Sequence, residues 1–212
     1  MRTKASGFTV IEIVLASSLS LVIFGALVRT TSRAQGLFAW IQVQSDLESD
    51  MARAMQRVDS ELRMASVTSL APDLTTPVGA DRVWGSDLTF TGTNAAGQLE
   101  TKRLTWQMDA DELLNGIDDD GDGLVDEGRI LFLREEGSPD QSSSVLISGV
   151  PNLQDGETND GTDENGNQMI DESGFAVSVE GSVVTLQLTA QRRCSGETLT
   201  RMQELQIRLR NQ

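Results

Sequence analysis

No proline interrupts the chain between Met1 and Ala71, and within that stretch Phe8 to Val28 form a continuous apolar run with one ionisable residue, Glu12. At 21 residues the run matches the length of a helix that crosses a bilayer. A carboxylate within such a run is costly in lipid unless it is paired, so it marks a functional position. Downstream, Arg33 to Ala65 is rich in Ala, Gln, Arg, Glu, Met and Leu, all good helix formers. Apolar residues recur at Leu37, Trp40, Ile41, Leu47, Met51, Met55, Val58 and Leu62, mostly in steps of three or four, with one longer gap between Ile41 and Leu47. That spacing predicts one buried face. Asp46, Glu48, Asp50, Arg53, Arg57, Asp59, Glu61 and Arg63 are assigned to the solvated faces. The two parts predict a single helix from about Phe8 to Ala65, roughly 85 Å long.

Arg2 and Lys4 precede the apolar run, and a basic flank stays cytoplasmic. A secretory signal peptide would be cut after the apolar region, next to small residues, and Ala26-Leu27-Val28 is a poor match. A plain signal anchor gives no reason for Glu12. The string MRTKASG, the Gly7-Phe8 junction and Glu12 resemble the class III leader of type IV prepilins and pseudopilins. The resemblance implies cleavage after Gly7 by a prepilin peptidase and an N-methylated Phe8 as the new first residue. It makes Glu12 the fifth mature residue, an assembly group that pairs with the ammonium of a neighbouring subunit. The string RVDSELRMA, Arg57 to Ala65, and the string RLRN, Arg208 to Asn211, resemble PilW-like minor pilins and J-type pseudopilins. Glu12 also argues against the K-type pseudopilin, which lacks this glutamate.

After Ser66 the pattern changes to short β-favouring runs at 88–91, 102–107, 130–133, 145–147, 175–179, 183–190 and 203–209. VVTLQLTA and LQIRLR alternate as half-buried antiparallel strands do, and Glu180-Gly181-Ser182 reads as a hairpin turn. The expected fold is therefore α+β. Its long N-terminal helix has a membrane half and an amphipathic half and packs on an antiparallel sheet, a type IV pilin-like arrangement. The expected divisions are a leader at 1–7, the membrane or filament-core half at 8–28, the amphipathic half at 29–66 and a β-rich domain at 67–212.

The 32 acids outnumber the 17 bases and give a net charge of -15. Eight acids lie between Asp111 and Glu127 and seven between Asp155 and Glu172, with no Lys or Arg in either stretch. The acids elsewhere equal the bases, so the whole net charge sits in two loops, at 111–128 and 155–173. The strings NGIDDDGDGLVDEG and DGTDENGNQMIDES repeat at an offset of 45. Oxygen ligands at alternate positions suit a hard cation. In the first loop these are Asp118, Asp120, Asp122 and the Leu124 carbonyl, and in the second Asp163, Asn165, Asn167 and the Met169 carbonyl. The bidentate acid of an EF-hand is missing from position twelve, where Arg129 and Gly174 stand. Asp126 or Glu127, and Asp171 or Glu172, are expected to close the shells instead. The loops resemble the wider group of DxDxDG calcium loops, which implies calcium, two ions in all, with weaker binding in the second loop. The alternative is a solvated acidic loop, against which the repeat itself argues.

The chain has no histidine and one cysteine, Cys194. An internal disulfide is therefore excluded, the commonest general base is absent, and zinc and copper are disfavoured. Cys194 reads as a strand-end residue, and Trp84 and Trp106 as packing residues. No dense basic patch points to nucleic acid. The expectation is a non-enzymatic minor pilin near the tip of a type IV pilus, with a J-type pseudopilin or a filament-displayed calcium-dependent adhesin as alternatives. Its partners would be other pilins and the prepilin peptidase. Its location would be the inner membrane with a periplasmic domain, and after assembly a surface pilus or periplasmic pseudopilus.

Overall fold

The computed structural model describes residues 7, 9–72, 74, 83–94 and 96–209. The leader residues 1–6, Phe8, Arg210 and Asn211 lie outside them. Helix α1 runs unbroken over Val10–Leu62, close to the expected span. The chain divides into two units, Met1–Gln42 and Val43–Gln212.

In the first unit α1 is apolar and exposed, with an 18-residue window of mean hydropathy 2.3, none of it buried. This is long and apolar enough to cross a membrane. Its hydroxyls turn inward on the helix: Ser17, Ser18 and Ser20 donate to Val14, Leu15 and Ala16 carbonyls, and Thr30 and Thr31 to those of Ala26 and Leu27. No hydroxyl of these five is left to seek a partner in an apolar medium. Leu37 and Ile41 of the expected stripe are exposed here.

In the second unit the stripe is buried from Leu47 onward, through Met51, Ala54, Met55, Val58 and Leu62. Large apolar side chains of this kind each contribute about 1.5–3 kcal/mol on burial. Eight strands follow: β1 (Trp84–Gly85), β2 (Asp87–Thr93), β3 (Leu99–Met108), β4 (Glu127–Arg134), β5 (Ser142–Pro151), β6 (Phe175–Glu180), β7 (Val183–Cys194) and β8 (Glu197–Arg208). They form two antiparallel four-stranded sheets, β2-β3-β4-β5 and β1-β6-β7-β8, rather than one. All seven expected strands are present, and the two-residue β1 is the addition. The architecture is α+β, with the helix packed against antiparallel sheets.

Turn chemistry sets the hairpins. Gly181 takes φ 60° between Glu180 and Val183, the first central position of a two-residue β6–β7 turn. Ser195 and Gly196, at φ 54° and 90°, close the β7–β8 hairpin, with buried Cys194 at the end of β7. β8 alternates as expected, but β7 is buried on both faces from Val184 to Ala190, because it is central in its sheet and β5 lies against it.

Helix and sheets are tied by charge as well as by the apolar stripe. Glu61 is 5 % exposed, not on a solvated face. It accepts from Lys102 Nζ on β3 at 2.7 Å and from Arg134 Nη2 on β4 at 2.9 Å, and it pairs with Arg57 at 3.0 Å. Lys102 is 1 % exposed and also donates to the Thr93 carbonyl at 3.2 Å. Arg57 and Arg134 lie 5.6 and 5.3 Å from the Phe132 ring centre. Higher on the helix, Asp50 faces Arg192 on β7 and Glu48 faces Arg201 on β8, both at 3.6 Å.

Candidate metal centre

The first acidic loop joins β3 to β4, and the second carries the chain from β5 across to β6. Their ends are neighbours because Glu127 pairs with Pro151, and the Asn152 N–H donates to the Asp126 carbonyl at 3.1 Å. Trp84 and Trp106 hold this end of the domain: their indole N–H groups donate to the Ile170 and Val150 carbonyls.

The sequence repeat is a structural repeat. Left-handed backbone occurs at Gly116 and Gly161 (φ 75° and 85°), Gly121 and Gly166 (81° and 77°), Gly123 and Gln168 (92° and 71°), and Asp126 and Asp171 (50° and 49°). Gly123 is needed for a further reason: a Cβ there would meet Arg193 Cδ at 2.8 Å. The Arg193 guanidinium donates to the Gly123 carbonyl at 2.7 Å, fastening the first loop to β7.

In the first loop Asp118 accepts from the N–H groups of Gly121 and Gly123, Asp120 from that of Asp122, and Asp122 from that of Leu124. These turns bring oxygens of Asp118, Asp120 and Asp122 within 4.8 Å of one another. Two oxygens on opposite sides of a calcium ion are about 4.8 Å apart, so the spacing suits a shared cation. A second group, Glu112, Asp120 and Glu127, meets the same spacing and shares Asp120 with the first.

Asp126 and Glu127 part company. The Asp126 carboxylate is engaged by the N–H groups of Asn115 and Gly116, at 2.9 and 3.0 Å, and so holds the turn that opens the loop. Glu127 is 1 % exposed and neither of its carboxylate oxygens has a hydrogen-bond partner. Burial and the charges of Asp122, Glu112 and Asp120 push its carboxyl up to about 7, against the lowering effect of its own backbone N–H. Glu112 is 4 % exposed and accepts from the N–H groups of Asp119, Asp120 and Asp126. Sequence reasoning missed Glu112 and its equivalent Glu157. The signal was available, since the offset of 45 continues six residues upstream of Asp118.

The second loop copies the backbone and changes the chemistry. Asp163 accepts from the N–H groups of Gly166 and Gln168, as Asp118 does from those of Gly121 and Gly123, and in addition from that of Asn167. Asp171 caps the N–H groups of Asp160 and Gly161, matching Asp126. Glu157, raised chiefly by burial, accepts from the Asn165 N–H at 3.0 Å, matching Glu112 and Asp120. Fully buried Glu172, however, accepts from the side-chain amides of Asn165 and Asn167, at 2.6 and 2.5 Å. Leu124 and Met169, expected to offer backbone carbonyls, have buried side chains. A third acidic group, Glu157, Glu164 and Asp171, lies on the second loop.

At the other end of the chain, Gly7 is exposed. Glu12 is the third residue of α1, and Thr9 stands at its N-cap. The Thr9 N–H and hydroxyl donate to Glu12 Oε2 at 2.8 and 2.9 Å, and the Glu12 N–H approaches the Thr9 hydroxyl oxygen at 3.3 Å. This is a reciprocal capping box, which satisfies two of the orphan donors at the helix start.

Fold and site together define an α+β protein with one long apolar N-terminal helix and acidic clusters able to hold a metal ion. Compared with models of known protein families, with curated proteins and with solved structures, the chain matches none.

Proposed function

We propose that this chain is a non-enzymatic filament subunit of the minor-pilin kind, anchored and assembled through the exposed apolar part of α1, with a calcium-stabilised β-domain. The observation that carries this reading is the continuity of α1. One helix begins as a bare apolar segment headed by Glu12 and ends as the buried stripe and ionic tie of a β-domain. A helix made only to anchor needs no such continuation, and a core helix would not leave its first half exposed. In this reading Gly7-Phe8 is the processing site. Glu12 leaves its capping box to meet a neighbour's new ammonium at Phe8, since charges in an apolar medium persist only as pairs. Calcium fits the acidic loops because oxygen ligands are many there, with buried Glu127 unpartnered among them.

The test is co-expression with a prepilin peptidase and the other subunits of a filament system. N-terminal sequencing should give Phe8, and Glu12→Ala should leave the protein in the membrane but out of filaments. A first residue downstream of Val28, or normal incorporation of the Glu12 variant, refutes the reading.

A further inference from the structure

The two acidic loops share a backbone and differ at the two ligand positions that decide whether a cation is required. We propose that only the first loop is a calcium site, with Glu112 and Glu127 completing the shell of Asp118, Asp120 and Asp122, and that the second loop is closed from within by the amides of Asn165 and Asn167. This rests on the calcium reading above and sets its stoichiometry at one ion where sequence led to two.

The first loop gathers five carboxylates at repeat-equivalent positions, and carboxylates can only accept. Among the described residues none of the five lies within ion-pair distance of a Lys or Arg. Arg193, on β7 beside the turn, donates to the Gly123 carbonyl rather than to a carboxylate. The decisive group is Glu127, 99 % buried, with both oxygens unpartnered and one of them within 4.8 Å of Glu112 and Asp120 oxygens. A buried ionised carboxylate without a partner is costly, and a divalent cation supplies the missing charge and bonds at once.

In the second loop Asn165 and Asn167 stand where Asp120 and Asp122 do, so three of the five equivalent positions keep a carboxylate: Glu157, Asp163 and Glu172. Glu164 and Asp171, which with Glu157 form that loop's own acidic group, are already engaged by the N–H groups of Thr158, Asp160 and Gly161. Each asparagine oxygen holds its own turn, accepting from the Asn167 or Met169 N–H, as the aspartates do. Each NH2 is thereby free to face Glu172, and the carboxylate enforces that orientation, because an amide oxygen there would repel it. Two amide donors stand where the first loop needs a cation. Asn167 is further held by donating to Gln187 Oε1 on β7 at 3.2 Å. One oxygen each of Glu157 and Glu172 remains unpartnered, against both of Glu127.

The experiment uses the full chain, calcium-stripped, in detergent micelles, titrated calorimetrically with calcium chloride. Wild type should bind one equivalent. Glu112→Gln and the pair Asp120→Asn/Asp122→Asn should each weaken binding at least tenfold, while Glu172→Gln leaves it within threefold. Asn165→Asp/Asn167→Asp should gain a second equivalent. Two equivalents in wild type, or loss of the ion on changing Glu172 rather than Glu112, overturns the assignment and leaves the calcium reading standing. No binding at all overturns both. If the paired aspartate variant does not fold, the wild-type stoichiometry and the second equivalent gained by the asparagine variant still decide.

Discussion

Replacing Glu61 by leucine separates the ionic tie of helix to sheet from the apolar stripe around it. At 2.7 Å and an effective dielectric of about 20, the Glu61–Lys102 attraction is about 6 kcal/mol before desolvation is charged against it. Glu61→Leu strands an ammonium that is 1 % exposed with one carbonyl, Thr93, for company. The cost should therefore fall in the range for breaking a buried pair, about 4 kcal/mol. Lys102→Met is milder, about 2 kcal/mol, because Glu61 keeps Arg134 and Arg57 at 2.9 and 3.0 Å. The double variant removes both buried charges, and the half-exposed guanidinium groups rehydrate. It should cost about 3 kcal/mol, less than Glu61→Leu alone and about 3 kcal/mol short of additivity. For a chain of this size each kcal/mol moves Tm by roughly 2–4 °C, so thermal unfolding followed by circular dichroism resolves all three. If Lys102→Met is as harmful as Glu61→Leu, or the double variant equals the sum, the buried pair does not work as described.

The same carboxyl sets a pH response. Burial raises the Glu61 pKa, but the Lys102 hydrogen bond and the charges of Lys102, Arg57 and Arg134 outweigh it, holding it below the ordinary value. Its contribution is complete above about pH 4.3 and is lost as pH falls through the lower folded value; Tm measured downward from pH 5 should fall less steeply in Glu61→Gln than in wild type. Chelator should lower the melting temperature of the full chain and added calcium restore it, whereas an unchanged curve would reduce the acidic loops to solvated linkers. Gly128→Ala would put a Cβ 2.3 Å from the Gln107 carbonyl oxygen across the β3–β4 pair, at the mouth of the first loop. Urea denaturation should show a loss of about 3 kcal/mol; a loss under 1 kcal/mol would mean the strands part more easily than their register implies.

The periodic parts of this fold were open to reading along the chain. The 3.6-residue spacing from Leu47 to Leu62 and the alternation of LQIRLR each encode which side is buried, and the structure buries those sides. Glu61 was misplaced because its partners, Lys102 and Arg134, lie 41 and 73 residues away. Local spacing shows an acid beside Leu62 and nothing of the cations that make its burial tolerable. The division into two sheets was hidden for a similar reason: β1 pairs with β6, far along the chain, and two residues carry no alternation. In the candidate site the repeat exposed Asp118 and Asp163 as equivalents. Which of Asp126 and Glu127 turns inward depends on who donates to Asp126, and those donors, Asn115 and Gly116, act through backbone N–H groups that no residue type announces.

Within the second unit the fastenings of α1 have a mechanical consequence. A load drawn along this part of the helix is taken up at several heights, Glu48 and Asp50 to one sheet and Glu61 to the other. Such a load must slide the helix past both sheets at once, breaking its fastenings together. A helix fixed at one end alone would peel away, one bond at a time.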